Sequence, residues 1–211
     1  MPCQAQMLIN PYTFTSAPPS GPPSFVAASN SNGTNIPVPS GTTNGHFMVA
    51  FVGSETPGSI STPSGWTQVG TTKTWGGGLG YGAALFWRVA SSEPANYQFC
   101  SSSYRFGFIV TYSGATAIDV SGSIVDLSGT TMTLTGITSA SGSTLLSLIH
   151  DRDGGTAFTP PSGMTERLDA TSAFYWQVAA ADLANADSSN RSWTVASNTW
   201  AAVGVLVSIK P

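Results

Sequence analysis

Charge is scarce in this sequence. Seven Lys and Arg and ten Asp and Glu make up only 8% of the residues, where an ordinary soluble protein carries roughly 25%. The cations are spread singly between Lys73 and Lys210. A nucleic acid is held by clustered cations that displace its counterions, so this dispersal argues against a nucleic-acid partner. Cysteine is limited to Cys3 and Cys100, far apart in the chain, and the expectation for Cys100 is a buried free thiol rather than a disulfide. No apolar run approaches the ~18 residues that read as a membrane span. The opening stretch, Met1–Asn10, has neither the basic region nor the apolar stretch of a secretory signal, so synthesis in a host cytoplasm is expected, with no membrane partner.

The shortage of charge is not the signature of a disordered chain, because 41% of the residues are hydrophobic, with 6 Trp, 6 Tyr and 10 Phe. Ser, Thr, Asn and Gly take over the solvating role, a composition common in surfaces that work outside a cell or on a particle. Residues 1–24 are rich in Pro and poor in apolar anchors, which predicts an extended N-terminal arm. Residues 25–211 read as many short strands separated by Gly, Pro and Ser turns. Examples are His46–Gly53, Trp66–Trp75, Tyr81–Ala90, Tyr104–Ser113, Thr144–His150, Ser172–Ala181 and Trp200–Ile209. Ala179–Asp187 is the one stretch with the look of a short helix.

A repeat organises this domain. Ala84-Leu-Phe-Trp-Arg-Val-Ala90 returns as Ala173-Phe-Tyr-Trp-Gln-Val-Ala179. Each copy is preceded by a related turn, Pro63-Ser64-Gly65-Trp66-Thr67 and Pro161-Ser162-Gly163-Met164-Thr165. Each is followed by an aromatic run and then a long apolar one. The length differences between copies fall in loops, chiefly in the Gly76–Gly82 connection that the second copy lacks. Two pseudo-repeated halves, about 46–120 and 131–211, predict one all-β antiparallel sandwich, jelly-roll-like in its path.

No catalytic grouping stands out. His150-Asp151-Arg152-Asp153-Gly154 is the nearest approach to a metal motif, with Asp151 and Asp153 as candidate ligands, yet no further acid completes a calcium loop. His46 with His150 lacks a third ligand. A Gly-x-Ser-x-Gly elbow is missing, and most acids sit in turns. Gly78-x-Gly80-x-x-Ala83 imitates a nucleotide loop but precedes a strand. The expectation is no enzyme and no cofactor. Glu166-Arg167 stands out as a charged pair in so uncharged a chain; the two side chains point to opposite faces of a strand.

The aromatics carry more information. Tyr81, Ala83, Leu85, Trp87 and Val89 share one face of their strand, with Phe86 on the other, so both faces are apolar. The same holds for Ser172–Ala181. One face fills a core and the other needs a cover: the arm, a sister subunit or a glycan stacked on an exposed ring. Trp75, Phe86, Trp87, Tyr175, Trp176 and Trp200 are the interface candidates.

Several stretches carry a resemblance in their order. They are Gly45–Val52, Pro63–Thr67, Phe86–Ala90, Ser92–Tyr97, Tyr112–Ala115, Ile118–Val120, Pro161–Arg167 and Trp200–Val203. Together they resemble a broad group of β-sandwich modules found in tailed-bacteriophage virion proteins and in some bacterial surface proteins. The likeness spans about residues 25–211. It implies a structural or attachment role on a virion, with no assigned catalytic residues. The expectation is a non-enzymatic capsid decoration (cement) protein on the virion surface. Its partners would be the major capsid protein or other virion proteins, and it would be a homo-oligomer, with a trimer favoured. The alternative is a tail-associated receptor-binding or glycan-binding module.

Overall fold

The repeat is built as two sheets, one from each half of the chain. The structure, a computed structural model, describes residues 21–75, 80–102, 105–152, 156–172 and 175–211. Met1–Ser20, which include Cys3 and most of the expected arm, lie outside the described residues, as do Gly78, Tyr104 and Asp153. The first half contributes β1 (Ser24–Ser31), β2 (Asn35–Pro37), β3 (Phe47–Ser54), β4 (Thr67–Trp75), β5 (Tyr81–Val89), β6 (Asn96–Gln98) and β7 (Arg105–Ser113). The second contributes β8 (Ala117–Ser121), β9 (Val125–Leu134), β10 (Thr144–Asp151), β11 (Thr165–Thr171), β12 (Gln177–Ala184) and β13 (Arg191–Lys210). Ala179–Asp187 is therefore not a helix. Its alanines pair in register with β10, Ala179 opposite Ile149 and Ala181 opposite Ser147, because burial on both faces overrides alanine's helix preference.

The first sheet runs β1-β7-β3-β5-β4 and the second β8-β13-β10-β12-β11. Taken in chain order, both are the same arrangement of five strands, and every pairing is antiparallel. The sandwich is as expected, but its path departs from a jelly roll: the chain completes one sheet before it starts the other.

Alternation explains the layers. Phe47, Val49 and Phe51 of β3, Phe106, Phe108, Val110 and Tyr112 of β7, and Ala83 and Leu85 of β5 face the second sheet. There they meet Leu146 and Leu148 of β10, Trp176, Val178 and Ala180 beside and on β12, and Val203, Val205, Val207 and Ile209 of β13. The opposite faces are apolar too, and the chain covers both itself. Met48, Ala50, Val52, Ala84, Phe86 and Ile109 lie under Ile36, Trp66, Tyr97 and Phe99, carried by the β2–β6 pair and its flanking loops. Leu145, Ile149, Ala179, Ala181 and Leu206 lie under Met132, Leu134 and Trp193 of a β9–β13 ribbon folded back over its own sheet, and under Phe158 and Met164 of the connection between β10 and β11.

The repeated turns place their last residues alike. Trp66 N–H donates to Pro63 O at 3.1 Å and Met164 N–H to Pro161 O at 3.0 Å. Gly65 and Gly163 have φ of 78° and 80°, a conformation that glycine takes without a Cβ penalty. Trp66 then caps the first sheet and Met164 the second. Cys100 is a buried free thiol, with Sγ 2.9 Å from Ser59 Oγ.

Buried hydrogen bonds among the described residues bridge the two sheets. Trp75 Nε1 donates to Ala201 O at 3.0 Å. His150 Nε2 donates to Phe106 O at 2.7 Å. Tyr112 OH donates to Asp182 Oδ2 at 2.8 Å, and burial, reinforced by the Asp182 charge, pushes its phenol well above the ordinary range.

Each of the four strands that end the two rows is bulged. The extra residues are Val26 in β1, Gly70–Thr72 in β4, Asp119 in β8 and Arg167 in β11. Bulged edges are poor templates for another strand. The bulge also resolves Glu166-Arg167. Arg167 turns to pair with Asp182 at 2.9 Å and lies 4.8 Å over the Phe25 ring, while Glu166 stays exposed and its pKa is raised by partial burial and by Asp169.

The tightest approach between the sheets is at Gly53, where an added Cβ would fall 2.4 Å from both Cε1 and Nε2 of His150. The ring is held between aromatic neighbours and cannot retreat. Gly53→Ala is expected to lower stability by about 3 kcal/mol in urea unfolding. The double variant with His150→Ser should recover part of that loss, and equal losses in the two would show that the clash is not the cause.

Candidate functional site

The two ends of the sandwich differ. At one end Ser24 pairs with Ser113, Lys210 with Ala117 and Thr144 with Ile209, so the described chain both enters and leaves there. At the other end lie Ser54, Trp75, Tyr81, Arg105, Asp151, Gln177 and Ala202, where the strands turn back. The candidate site is this second end, away from the entry and exit of the described chain.

Its foundation is an aromatic cluster between the sheets. The Trp75 and Trp176 rings meet edge-on at 6.2 Å, Tyr81 meets Trp176 at 5.9 Å, and His150 meets Trp176 at 4.9 Å. Arg152 closes it from above. Its guanidinium lies 5.4 Å from the Trp176 ring centre and 5.9 Å from that of Tyr81, and its Nε sits 2.5 Å from Glu55 Oε1. The charge of Arg152 is thus spent within the fold.

Two large rings point out of this foundation. Trp200 is 77% exposed and Tyr175 67%. Ala201, next to Trp200, is drawn inward because its carbonyl accepts both Trp75 Nε1 and Arg152 N–H. Pairing of β13 with β9 slips between Thr199 and Ala202, and the bulge leaves Trp200 on its crest beside exposed Ser197 and Asn198. Tyr175 is displayed by a turn closed by Ser172 N–H to Trp176 O at 2.7 Å and Trp176 N–H to Ser172 Oγ at 3.3 Å. Its φ is 65°, the left-handed region that a bulky side chain rarely adopts.

The interface candidates therefore divide. Trp75, Phe86 and Trp176 are corrected to interior residues, at 4%, 0% and 1% exposure. Sequence shows that their strands are apolar on both faces but not that Phe86 lies under the chain's own cover while Trp75 and Trp176 fill the space between the sheets. Trp87 is half-buried, stacked on Phe47 at 5.2 Å. Tyr175 and Trp200 remain at the surface. Asn198 was missed; its signal was its place two residues before an exposed tryptophan on a strand. Asp151 is buried in β10 rather than set in a loop, Asp153 lies outside the described residues, and His46 and His150 sit at opposite ends of the sandwich. Among the described residues no three His, Cys, Asp or Glu side chains gather around a common point.

A groove of about 560 Å³ lies elsewhere, along edge strand β4 and the β8–β9 connection, lined by Thr71, Thr72, Ser121 and Ser123 among others. Its cation, Lys73, is paired with Asp126 at 3.1 Å. No protein-family model matches the chain, and neither a curated protein nor a solved structure matches it.

Burial lowers the His150 pKa from 6.5 to about 4, opposed in part by its bond to the Phe106 carbonyl. Between these values the unfolded chain binds the extra proton. Stability is then fully present above pH 6.5 and falls by about 3 kcal/mol as pH drops to 4. His150→Gln should flatten that slope in urea midpoints taken across the window. Relief of the turn strain by Tyr175→Gly should raise stability by about 1 kcal/mol; a lowered urea midpoint would mean that the ring is held by packing instead.

Proposed function

We propose that the protein is a non-enzymatic structural protein of a tailed-phage virion, a capsid decoration protein attached at the particle surface through the end where the described chain enters and leaves. The observation that carries this reading is the polarity of the sandwich. One end gathers the chain's entry and exit, and the other presents two exposed rings. The apolar faces are closed by the chain's own covers, so attachment falls to the termini end and the segment preceding Gly21. Contacts there with the major capsid protein or with sister copies, a trimer favoured, add buried area that holds neighbouring shell subunits together. The Ser/Thr-rich surface and bulged edges suit a domain displayed at high density without strand-to-strand aggregation. A second reading, a receptor-binding or glycan-binding module of the tail, is favoured by Tyr175 and Trp200 themselves.

Gold-antibody labelling of particles, viewed by negative-stain electron microscopy, is expected to decorate heads, and particles stripped of the protein should rupture at lower temperature. Label confined to tails would sink the decoration reading in favour of the second, and unchanged heat resistance after stripping would remove the cementing role.

A further inference from the structure

We propose that Tyr175 and Trp200, with Asn198 beside them, form a recognition surface for a neutral oligosaccharide. The proposal takes from the preceding section only that this end faces away from the attachment point, and it holds for a head or a tail location. Three observations point to it.

The first is placement. Gln177, Asp151 and Ala202 lie in one row across β12, β10 and β13. Tyr175 and Trp200 each precede that row by two residues, and their chain neighbours Trp176 and Ala201 both meet Trp75, so the two rings crown the same end of the sandwich. The second is chemistry. A pyranose offers an apolar C–H face for an aromatic ring and a rim of hydroxyls for amide and hydroxyl partners. Among the described residues, those near the rings along the chain, Ser172, Ser197 and Asn198, are uncharged, and Ser197 Oγ lies 3.4 Å from Thr156 Oγ1. Of the described cations at this end, Arg152 and Lys73 are already paired with Glu55 and Asp126, which leaves Arg105 as a single charge and not a cluster. An acidic peptide or a nucleic acid would need a free cluster of such charges. The third is strain. A tyrosine is held at φ 65° where glycine would fit without penalty. Strain of this kind persists where the surrounding structure enforces it, and it clusters at binding sites.

The full chain is to be tested by isothermal titration against neutral gluco-, galacto-, manno- and N-acetylglucosamine oligomers. Saturable binding is expected for at least one series. Trp200→Ala and Tyr175→Ala should each raise Kd about tenfold or more, Trp200→Phe should lose less than Trp200→Ala, and Val89→Ser, an exposed apolar position at the opposite end, should bind as the parent does. Each variant's urea midpoint is read alongside, to show that it folds. No saturable binding to any series overturns the proposal, as does binding that survives the Tyr175→Ala/Trp200→Ala pair. If that double variant instead loses its place on labelled particles, the rings are a protein interface. The sugar proposal then fails while decoration stands.

Discussion

A sheet that is apolar on both faces cannot be satisfied by one partner sheet, and the rest of this structure follows from that constraint. Stacking the two five-stranded sheets buries only their inner faces. The outer ones still carry Met48, Phe86 and Ile109 on one side and Leu145, Ile149 and Leu206 on the other. Leaving them to solvent would expose apolar patches well beyond what a soluble monomer tolerates. The chain meets the demand twice by the same device. A short pair of strands and a Pro-Ser-Gly turn deliver a large side chain onto each outer face, so a nominal sandwich is in effect four layers deep.

With the faces closed, the side-chain hydrogen bonds that join one sheet to the other fall toward the ends. The termini end holds Tyr112, Asp182, Arg167 and Phe25 in one hydrogen-bonded and stacked group. The other end holds His150 within rings and Arg152 over them. Both buried groups tie one sheet to the other, and hydrogen bonds fix register where apolar packing alone would tolerate slippage. The rings that remain outside are held by a neighbour that is locked inside: Ala201 beneath Trp200, and Trp176 beneath Tyr175.

Much of the fold was legible because its signals are local. Period-two alternation in Tyr81–Val89 and Arg105–Ser113 assigned faces that packing obeys residue by residue, and the paired turns at Pro63 and Pro161 announced the duplication. What escaped was non-local. Nothing near Trp75 or Trp176 says that the opposite sheet closes over them from far away in the chain, so those rings read as surface when they are core. The alanines of β12 favour a helix locally and are strand because both sides of them are buried. The jelly-roll path failed for a similar reason, since strand order within a sheet leaves no mark on the residues of each strand. At the candidate site, Trp200 and Tyr175 were visible as aromatics, but only a strand bulge and a left-handed turn, neither with a sequence signature here, decide that they point outward.

The meeting of three chain segments at one end has a consequence for how the halves relate. Ser24 O accepts from Ser113 Oγ, while Thr116 N–H and Oγ1 donate to Lys210 O and Pro211 O. The start of the first sheet, the link between the sheets and the end of the second therefore lie side by side. Joining the outer ends and cutting the link would reverse the order of the halves while leaving every strand pairing in place. The fold is indifferent to which sheet comes first along the chain, the mark of two copies of one design whose covalent connection is almost incidental to their packing.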